Sequence, residues 1–265
     1  MRYLLDHLDA VKELLTLRPL GLITDIDGTI SDIAATPEAA VVSPICREKL
    51  ADLTQRLDLV AAISGRPAAA ARDMVGVDGM VYVGNHGLER WRDGAVEYVA
   101  GAEKHRAKVK EALERIRELL PLECVILEDK GVSLSIHYRL CPDVQEVRQL
   151  VLSKVATVDV LTDFRVCEGK MVVELRPAID VGKGVAVRSL VERYKLRSGL
   201  YLGDDVTDTD AFEAMHEAGF RGAAIAVLGE ESPDGLRRSA DFTLNGVSDV
   251  ERFLAWLAAA SARPA

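Results

Sequence analysis

The feature that most restricts the fold of this chain is a set of short apolar runs, each ending in residues that carry chemistry. Leu20-Gly21-Leu22-Ile23 leads into Asp25-Ile26-Asp27-Gly28-Thr29, and Leu59-Val60-Ala61-Ala62-Ile63 leads into Ser64-Gly65-Arg66-Pro67. Leu200-Tyr201-Leu202 leads into Gly203-Asp204-Asp205-Val206-Thr207-Asp208. Runs this short read as buried strands, not helices. Helical stretches lie between them, one from about Pro44 to Arg56 and an alanine-rich one after Pro67. Strand, helix and strand again imply a parallel sheet with right-handed crossovers. The expected fold is therefore α/β, a doubly wound, Rossmann-like parallel sheet.

Other segments fit this frame. Leucines at 4, 5, 8, 14 and 15 predict an amphipathic helix over residues 3–17, and residues 30–43 read as a loop. Met80-Val81-Tyr82-Val83 reads as a third strand running into Gly84-Asn85-His86-Gly87, with a hairpin expected at Asp93-Gly94. Near residue 100 the pattern changes. A charged helix (about 101–120), strands at 123–128 and 131–138, a helix (about 142–155) and a strand pair at 162–175 turning at Glu168-Gly169-Lys170 form an α+β layer. The alternating pattern then resumes with a helix from Lys183 to about Tyr194, strands at 223–227 and 241–244, and a helix at 248–258. The expected organisation is a core of residues 1–99 and 177–265 with a smaller inserted domain of residues 100–176.

Composition narrows the partners. A net charge of -9 argues against a nucleic-acid backbone, which selects a basic face. No apolar run spans a bilayer, and acid arrives too early after Met1 for a signal peptide, so a cytoplasmic, membrane-free monomer is expected. Cys46, Cys124, Cys141 and Cys167 have no short paired spacing, and reduced thiols are expected in place of disulfides or a zinc site.

Strand side chains alternate, so Asp25 and Asp27 should point the same way at the end of their strand, with Gly28 turning the backbone away. Two carboxylates forced together take up a proton or a cation. Asp-Gly is also ordinary turn and cap chemistry, so alone the pair leaves both readings open. Ser64 sits where a helix N-terminus attracts anions, a role compatible with capping beside Pro67. Lys183 opposes the dipole of the helix it opens and is either solvated or opposite an anion. Thr207 and Asp210 have capping-box spacing, which leaves Asp204 and Asp205 unexplained. In a doubly wound sheet these ends share one crevice. Carboxylates gathered there call for a hard cation with oxygen ligands, Mg²⁺, and Ser64 and Lys183 suit a phosphoryl group.

Asp25-Ile26-Asp27-Gly28-Thr29, Ser64, Lys183 and Gly203–Asp208, in this order, resemble the four motifs of the haloacid dehalogenase (HAD) superfamily of phosphotransferases. The resemblance implies that Asp25 is the nucleophile forming an aspartyl-phosphate and Asp27 the general acid and base. It implies that Ser64 and Lys183 hold the phosphoryl oxygens, and that Asp204 and Asp208 complete a Mg²⁺ shell with the Asp25 carboxylate and the Asp27 carbonyl. Thr29 and Asp205 would support the site, Asp205 by orienting Lys183 or the metal shell. The insert corresponds to a cap domain closing over substrate. A narrower resemblance is carried by Ile63–Arg66, Gly84–Gly87, Leu127–Gly131, His137-Tyr138-Arg139, Gly169-Lys170 and Val173–Pro177. These segments are similar to the trehalose-6-phosphate phosphatase family, which implies that Glu128, Lys130 and Glu174 grip the hydroxyls of a phosphorylated disaccharide. Arg66 and His86 are further candidates for lining the substrate cleft. Alternatives are a phosphatase for sucrose phosphate or a mannosyl- or glucosyl-phosphoglycerate, a phosphomutase, and a non-enzymatic binding module.

Overall fold

The computed structural model describes residues 2–92, 94–229, 232 and 234–261. The chain divides into two units, residues 1–97 with 181–265 and residues 98–180.

The larger unit opens with β1 (Arg2–Tyr3), a turn of 3₁₀ helix and α1 (Leu8–Leu15). The helix expected from residue 3 is thus shorter. Arg2 and Tyr3 instead extend the sheet edge beside Phe242 and Thr243, and the Tyr3 hydroxyl donates to Asp249 Oδ2 at 2.8 Å. The chain continues through β2 (Leu20–Thr24), α2 (Pro44–Thr54), β3 (Leu59–Ile63), α3 (Ala68–Val75), β4 (Val81–Gly84), β5 (Glu89–Arg92) and β6 (Ala95–Tyr98). The hairpin expected at Asp93-Gly94 falls on Asp93, which lies outside the described residues.

The smaller unit holds α4 (Arg106–Leu119), β7 (Ile126–Asp129), β8 (Leu134–His137), α5 (Val144–Val155), β9 (Phe164–Gly169) and β10 (Val172–Pro177). The last two strands turn at Lys170-Met171, one step later than expected, with Met171 at φ 58. The larger unit resumes with α6 (Lys183–Tyr194), β11 (Ser198–Gly203), α7 (Thr209–Ala214), β12 (Arg221–Leu228), α8 (Asp234–Ser239), β13 (Phe242–Asn245) and α9 (Gly246–Ala260).

The large sheet runs β1-β13-β12-β11-β2-β3-β4-β5-β6. Its ladders are parallel from β1 to β4, and β5 joins antiparallel. Both faces are covered, which is why the strands are apolar throughout. Leu22, Val60, Leu200, Leu202 and Ile225 pack on one side with α1, α2 and α9. Ile23, Ala61, Ile63, Tyr201 and Ala224 pack on the other with α6 and α7. The doubly wound parallel sheet and the inserted α+β unit are the fold class expected from the sequence. The topology matters for function at β2. The chain leaves it toward β3 and β4 on one side and returns through β11 and β12 on the other, so β2 is the switch point where such sheets bind ligands.

In the smaller unit, β7-β8-β10-β9 form an antiparallel sheet. Leu134, Ile136, Val173 and Leu175 pack with Val109, Ala112 and Ile116 of α4 and Val151 and Val155 of α5. Alternation sends Glu128, Ser135 and Glu174, which are register partners across β7, β8 and β10, to the opposite face. The expectation of reduced thiols fails here, because Cys124 and Cys141 form a disulfide with Cα atoms 4.9 Å apart. Spacing along the chain concealed it. The pair brackets the β7–β8 hairpin, and antiparallel pairing brings the two ends together. Cys46 and Cys167 are free. Among the described residues no helix is long and apolar enough to cross a membrane.

Candidate active site

The site is built from the ends of the strands at the switch point. The Asp25 amide donates to the Leu202 carbonyl at 2.8 Å, extending the β2–β11 ladder one step and delivering Asp25 beside Gly203-Asp204. Gly28 then turns away at φ +83, and a Cβ there would lie 2.0 Å from Asp204 Oδ2. Both the backbone angle and the space therefore require glycine. One carboxylate oxygen from each of Asp25, Asp204 and Asp208 lies within 4.8 Å of the others.

Lys183, at the N-terminus of α6, is buried with its ammonium 2.9 Å from Asp25 Oδ2 and 2.7 Å from Asp208 Oδ1. The charge that opposes the helix dipole is thereby offset by two carboxylates, not by water. Asp208 is fully buried, and its Oδ1 also accepts from the Tyr201 hydroxyl at 2.6 Å while Oδ2 accepts from the Asp205 amide at 3.0 Å. With two donors on Oδ1 and one on Oδ2, its remaining capacity toward an ion lies on Oδ2.

Three acids around one lysine are not neutralised. Burial first, and then the neighbouring carboxylate of Asp208, push the Asp25 carboxyl up to about 7 against the pull of Lys183. Burial, then Asp25 and Asp208, push Asp204 up to about 9. Burial alone would depress Lys183, but Asp208 and Asp25 outweigh it and hold the ammonium above the usual lysine range. Asp204 Oδ1 and Thr29 Oγ1 are buried with no hydrogen-bond partner. An oxygen-only donor set with surplus negative charge and an unpartnered carboxylate oxygen is what a hard divalent cation satisfies, so these residues fit Mg²⁺.

Asp27 is half-exposed and clamped by Arg66, whose Nε and Nη2 donate to Oδ2 and Oδ1 at 2.7 and 2.8 Å. Arg66, expected to face substrate, thus meets the acid assigned to general acid–base work. Ser64 is buried, and its hydroxyl accepts from the Arg66 amide at 3.1 Å. It does not cap α3. The helix N-cap is Pro67, and the Ala68 amide donates to Glu89 Oε1 at 2.6 Å. Two backbone bonds tie the Ser64–Arg66 turn to the next loop, from the His86 amide to the Ser64 carbonyl at 2.9 Å and from the Asn85 amide to the Arg66 carbonyl at 2.8 Å. His86 is buried against Gly65, where a Cβ would lie 2.5 Å from His86 Nε2.

The smaller unit gathers the other predicted residues on the polar face of its sheet. Lys130 Nζ lies 3.0 Å from Glu174 Oε1 and 3.8 Å from Glu128 Oε2. Glu174 also accepts from the Ser135 hydroxyl at 3.2 Å and from Arg176, whose Nε and Nη2 both meet Oε2, the former at 3.0 Å. His137 Nε2 lies 2.8 Å from Glu128 Oε2.

The capping box expected at Thr207 and Asp210 belongs instead to Asp205 and Asp208, whose side chains reciprocally bind each other's backbone amides. Asp208, not Asp205, holds Lys183. Sequence reasoning missed Tyr201 and Glu89. Tyr201 read as one more apolar strand residue, and its only polar signal was the hydroxyl, which when buried needs a partner. Glu89 interrupts no motif, and its role depends on a helix terminus 21 residues away.

The trehalose-phosphatase family profile matches residues 23–247. An uncharacterized glycosyl hydrolase of Mycobacterium tuberculosis is 36% identical over 257 residues, covering 94% of this chain and 19% of that protein. A trehalose-phosphate phosphatase of Mycobacterium leprae is 34% identical over 256 residues, covering 92% of this chain and 58% of that protein. The chain thus spans less than two thirds of the length of either relative. The solved C-terminal domain of a trehalose-6-phosphate phosphatase from C. albicans shares the fold, with a TM-score of 0.75 at 24% identity, covering 96% of this chain and 97% of that one.

Proposed function

The chain belongs to the trehalose-phosphatase family, and from that premise we propose that it is a Mg²⁺-dependent phosphatase hydrolysing trehalose 6-phosphate to trehalose and phosphate. The observation that carries this reading is the convergence of Asp25, Asp204, Asp208 and Lys183 at the switch point of the sheet.

Asp25 attacks phosphorus through a carboxylate oxygen, the bond to the sugar oxygen breaks, and Asp27 gives that oxygen a proton. Asp27 then takes a proton from water attacking the aspartyl-phosphate, which frees phosphate and restores Asp25. A carboxylate nucleophile splits one displacement into two easier ones. Lys183 serves both, favouring the ionised form of the Asp25 carboxyl against its burial and meeting charge on the equatorial phosphoryl oxygens, where the Ser64 hydroxyl donates. Arg66 takes one acceptor site on each oxygen of Asp27, which leaves a second site on each for the proton that Asp27 gives and takes. Asp25, Asp204, Asp208 and the Asp27 carbonyl would hold Mg²⁺, whose charge would stabilise the transferring phosphoryl group.

Glu128, Lys130 and Glu174 are read as the sugar contacts, the acids accepting from hydroxyls and the ammonium donating. The cations Lys130 and Arg176 are both paired with Glu174, which favours an uncharged disaccharide over a carboxylated phosphoglycerate. A panel of trehalose 6-phosphate, sucrose phosphate, mannosyl-phosphoglycerate and a simple aryl phosphate tests the reading. The highest kcat/KM is expected for trehalose 6-phosphate, with free phosphate as product. Preference for another member, or isomerised sugar phosphate without free phosphate, would refute it.

A further inference from the structure

Glu128 is the sugar contact that meets an imidazole. Its neighbour across the ladder is Ser135, which donates to Glu174. His137 and Lys130 approach the same oxygen of Glu128. His137 Nε2 stands 2.8 Å from Oε2, while Lys130 Nζ stands 3.8 Å from it and is engaged with Glu174 at 3.0 Å. At 3.8 Å there is no hydrogen bond, only charge attraction. The imidazole bond opposes the pull of Lys130 on Glu128, and its loss would let that pull draw the carboxylate toward the ammonium. The ammonium would then be shared between two acids, and both groups would lose the orientation a sugar reads.

His137 is placed for this task by the strand. It lies two residues after Ser135 on β8, so its ring projects from the same polar face and reaches Glu128 diagonally across the hairpin. Residues 126 and 172 flank it in register, both from this sheet, and its side chain is 22% exposed, so it has room to vary without opening the core behind the sheet.

We propose that His137 is a positioning residue for sugar recognition, holding Glu128 apart from Lys130 so that the two present an acceptor and a donor side by side. The inference rests on Glu128, Lys130 and Glu174 being the sugar contacts. It predicts an effect on affinity for the sugar and none on phosphoryl transfer. His137→Leu removes the donor, whereas His137→Gln places an amide NH₂ near the position of Nε2.

Steady-state kinetics of the wild type and both variants on trehalose 6-phosphate and on a simple aryl phosphate test this. For His137→Leu the KM for trehalose 6-phosphate is expected to rise about tenfold, the loss of one hydrogen bond to a charged group, with kcat kept. His137→Gln is expected to recover most of that loss, and the aryl phosphate to be hydrolysed alike by all three. An unchanged KM in His137→Leu would overturn the proposal, as would an equal loss on both substrates, the mark of a merely structural role. Wild-type protein active on the aryl phosphate but inert toward trehalose 6-phosphate would remove the substrate reading and this inference together, a result distinct from an unchanged KM.

Discussion

Asp25, Asp204 and Asp208 are gathered around a single lysine, whereas Glu128 and Glu174 share Lys130, Arg176 and His137. In the larger unit, acids outnumber cations in a buried place, two carboxyls are pushed up to about 7 and about 9, and one carboxylate oxygen has no partner. In the smaller unit, Glu174 has partners on both oxygens, and the sheet face is balanced in charge. The difference teaches what each cluster is for. On the proposed function, the first would be completed by a divalent cation and would take a doubly charged phosphoryl group. The second pairs its own side chains, and on the proposed function would offer a neutral, hydroxyl-rich ligand a set of oriented donors and acceptors.

The largest effect that would separate the two clusters is on chemistry. Asp25→Asn is expected to lower phosphate release by about 10⁴-fold or more, because the amide is no nucleophile. It should leave the melting temperature unchanged or higher, since one buried charge is removed. Substantial turnover by this variant would erase the distinction between a reacting cluster and a gripping one. On the other side, Glu174→Gln is expected to raise KM for trehalose 6-phosphate about tenfold while sparing an aryl phosphate. Equal losses on both substrates would show that the smaller unit's face does not act on the sugar.

Stability against pH sharpens the same contrast. The raised carboxyls of Asp25 and Asp204 contribute stability that is full below about pH 4, their unfolded range, and lost as pH rises through about 7 and about 9. Lys183 stays charged in both states over this window and adds no slope. The melting temperature of chelator-treated protein should therefore fall between pH 5 and pH 9, and excess Mg²⁺ should abolish the fall. A flat profile without metal would mean the cluster is neutralised some other way. Smallest for activity is the disulfide. Joint Cys124→Ser and Cys141→Ser substitution opens a loop with a sequence separation of 17, at a cost of about 3 kcal/mol to the smaller unit. Amide exchange should speed up in residues 126–137 and not in β2 or β11. Equal acceleration in both would show that the staple serves the whole chain.

What could be read in the sequence was whatever local composition and the rules of parallel sheets determine together. Asp25, Ser64 and Asp204 follow apolar runs, and the topology sets β11, β2 and β3 side by side, so their place in the fold needed no side-chain knowledge. Contacts set by tertiary geometry were not legible. Tyr201 gives its hydroxyl to Asp208 only because that residue folds back behind the strand, and Glu89 caps α3 across the sheet. Local spacing also misled. Thr207 and Asp210 have the pattern of a capping box, yet the chain leaves β11 so sharply that the box closes earlier, at Asp205 and Asp208. The cysteines failed for the opposite reason, since a pair far apart in number becomes adjacent once a hairpin forms between them. Tyr3 looked helical until a late strand, β13, recruited it together with Arg2.

The central claim is that the carboxylates of Asp25, Asp204 and Asp208 hold one divalent cation. Calorimetric titration of Mg²⁺ into chelator-treated protein at neutral pH, repeated in buffers of different ionisation enthalpy, tests it most directly. One ion bound per chain with release of protons, and binding lost in Asp204→Asn, is the predicted result. Absence of binding together with full phosphate release in excess chelator would contradict it.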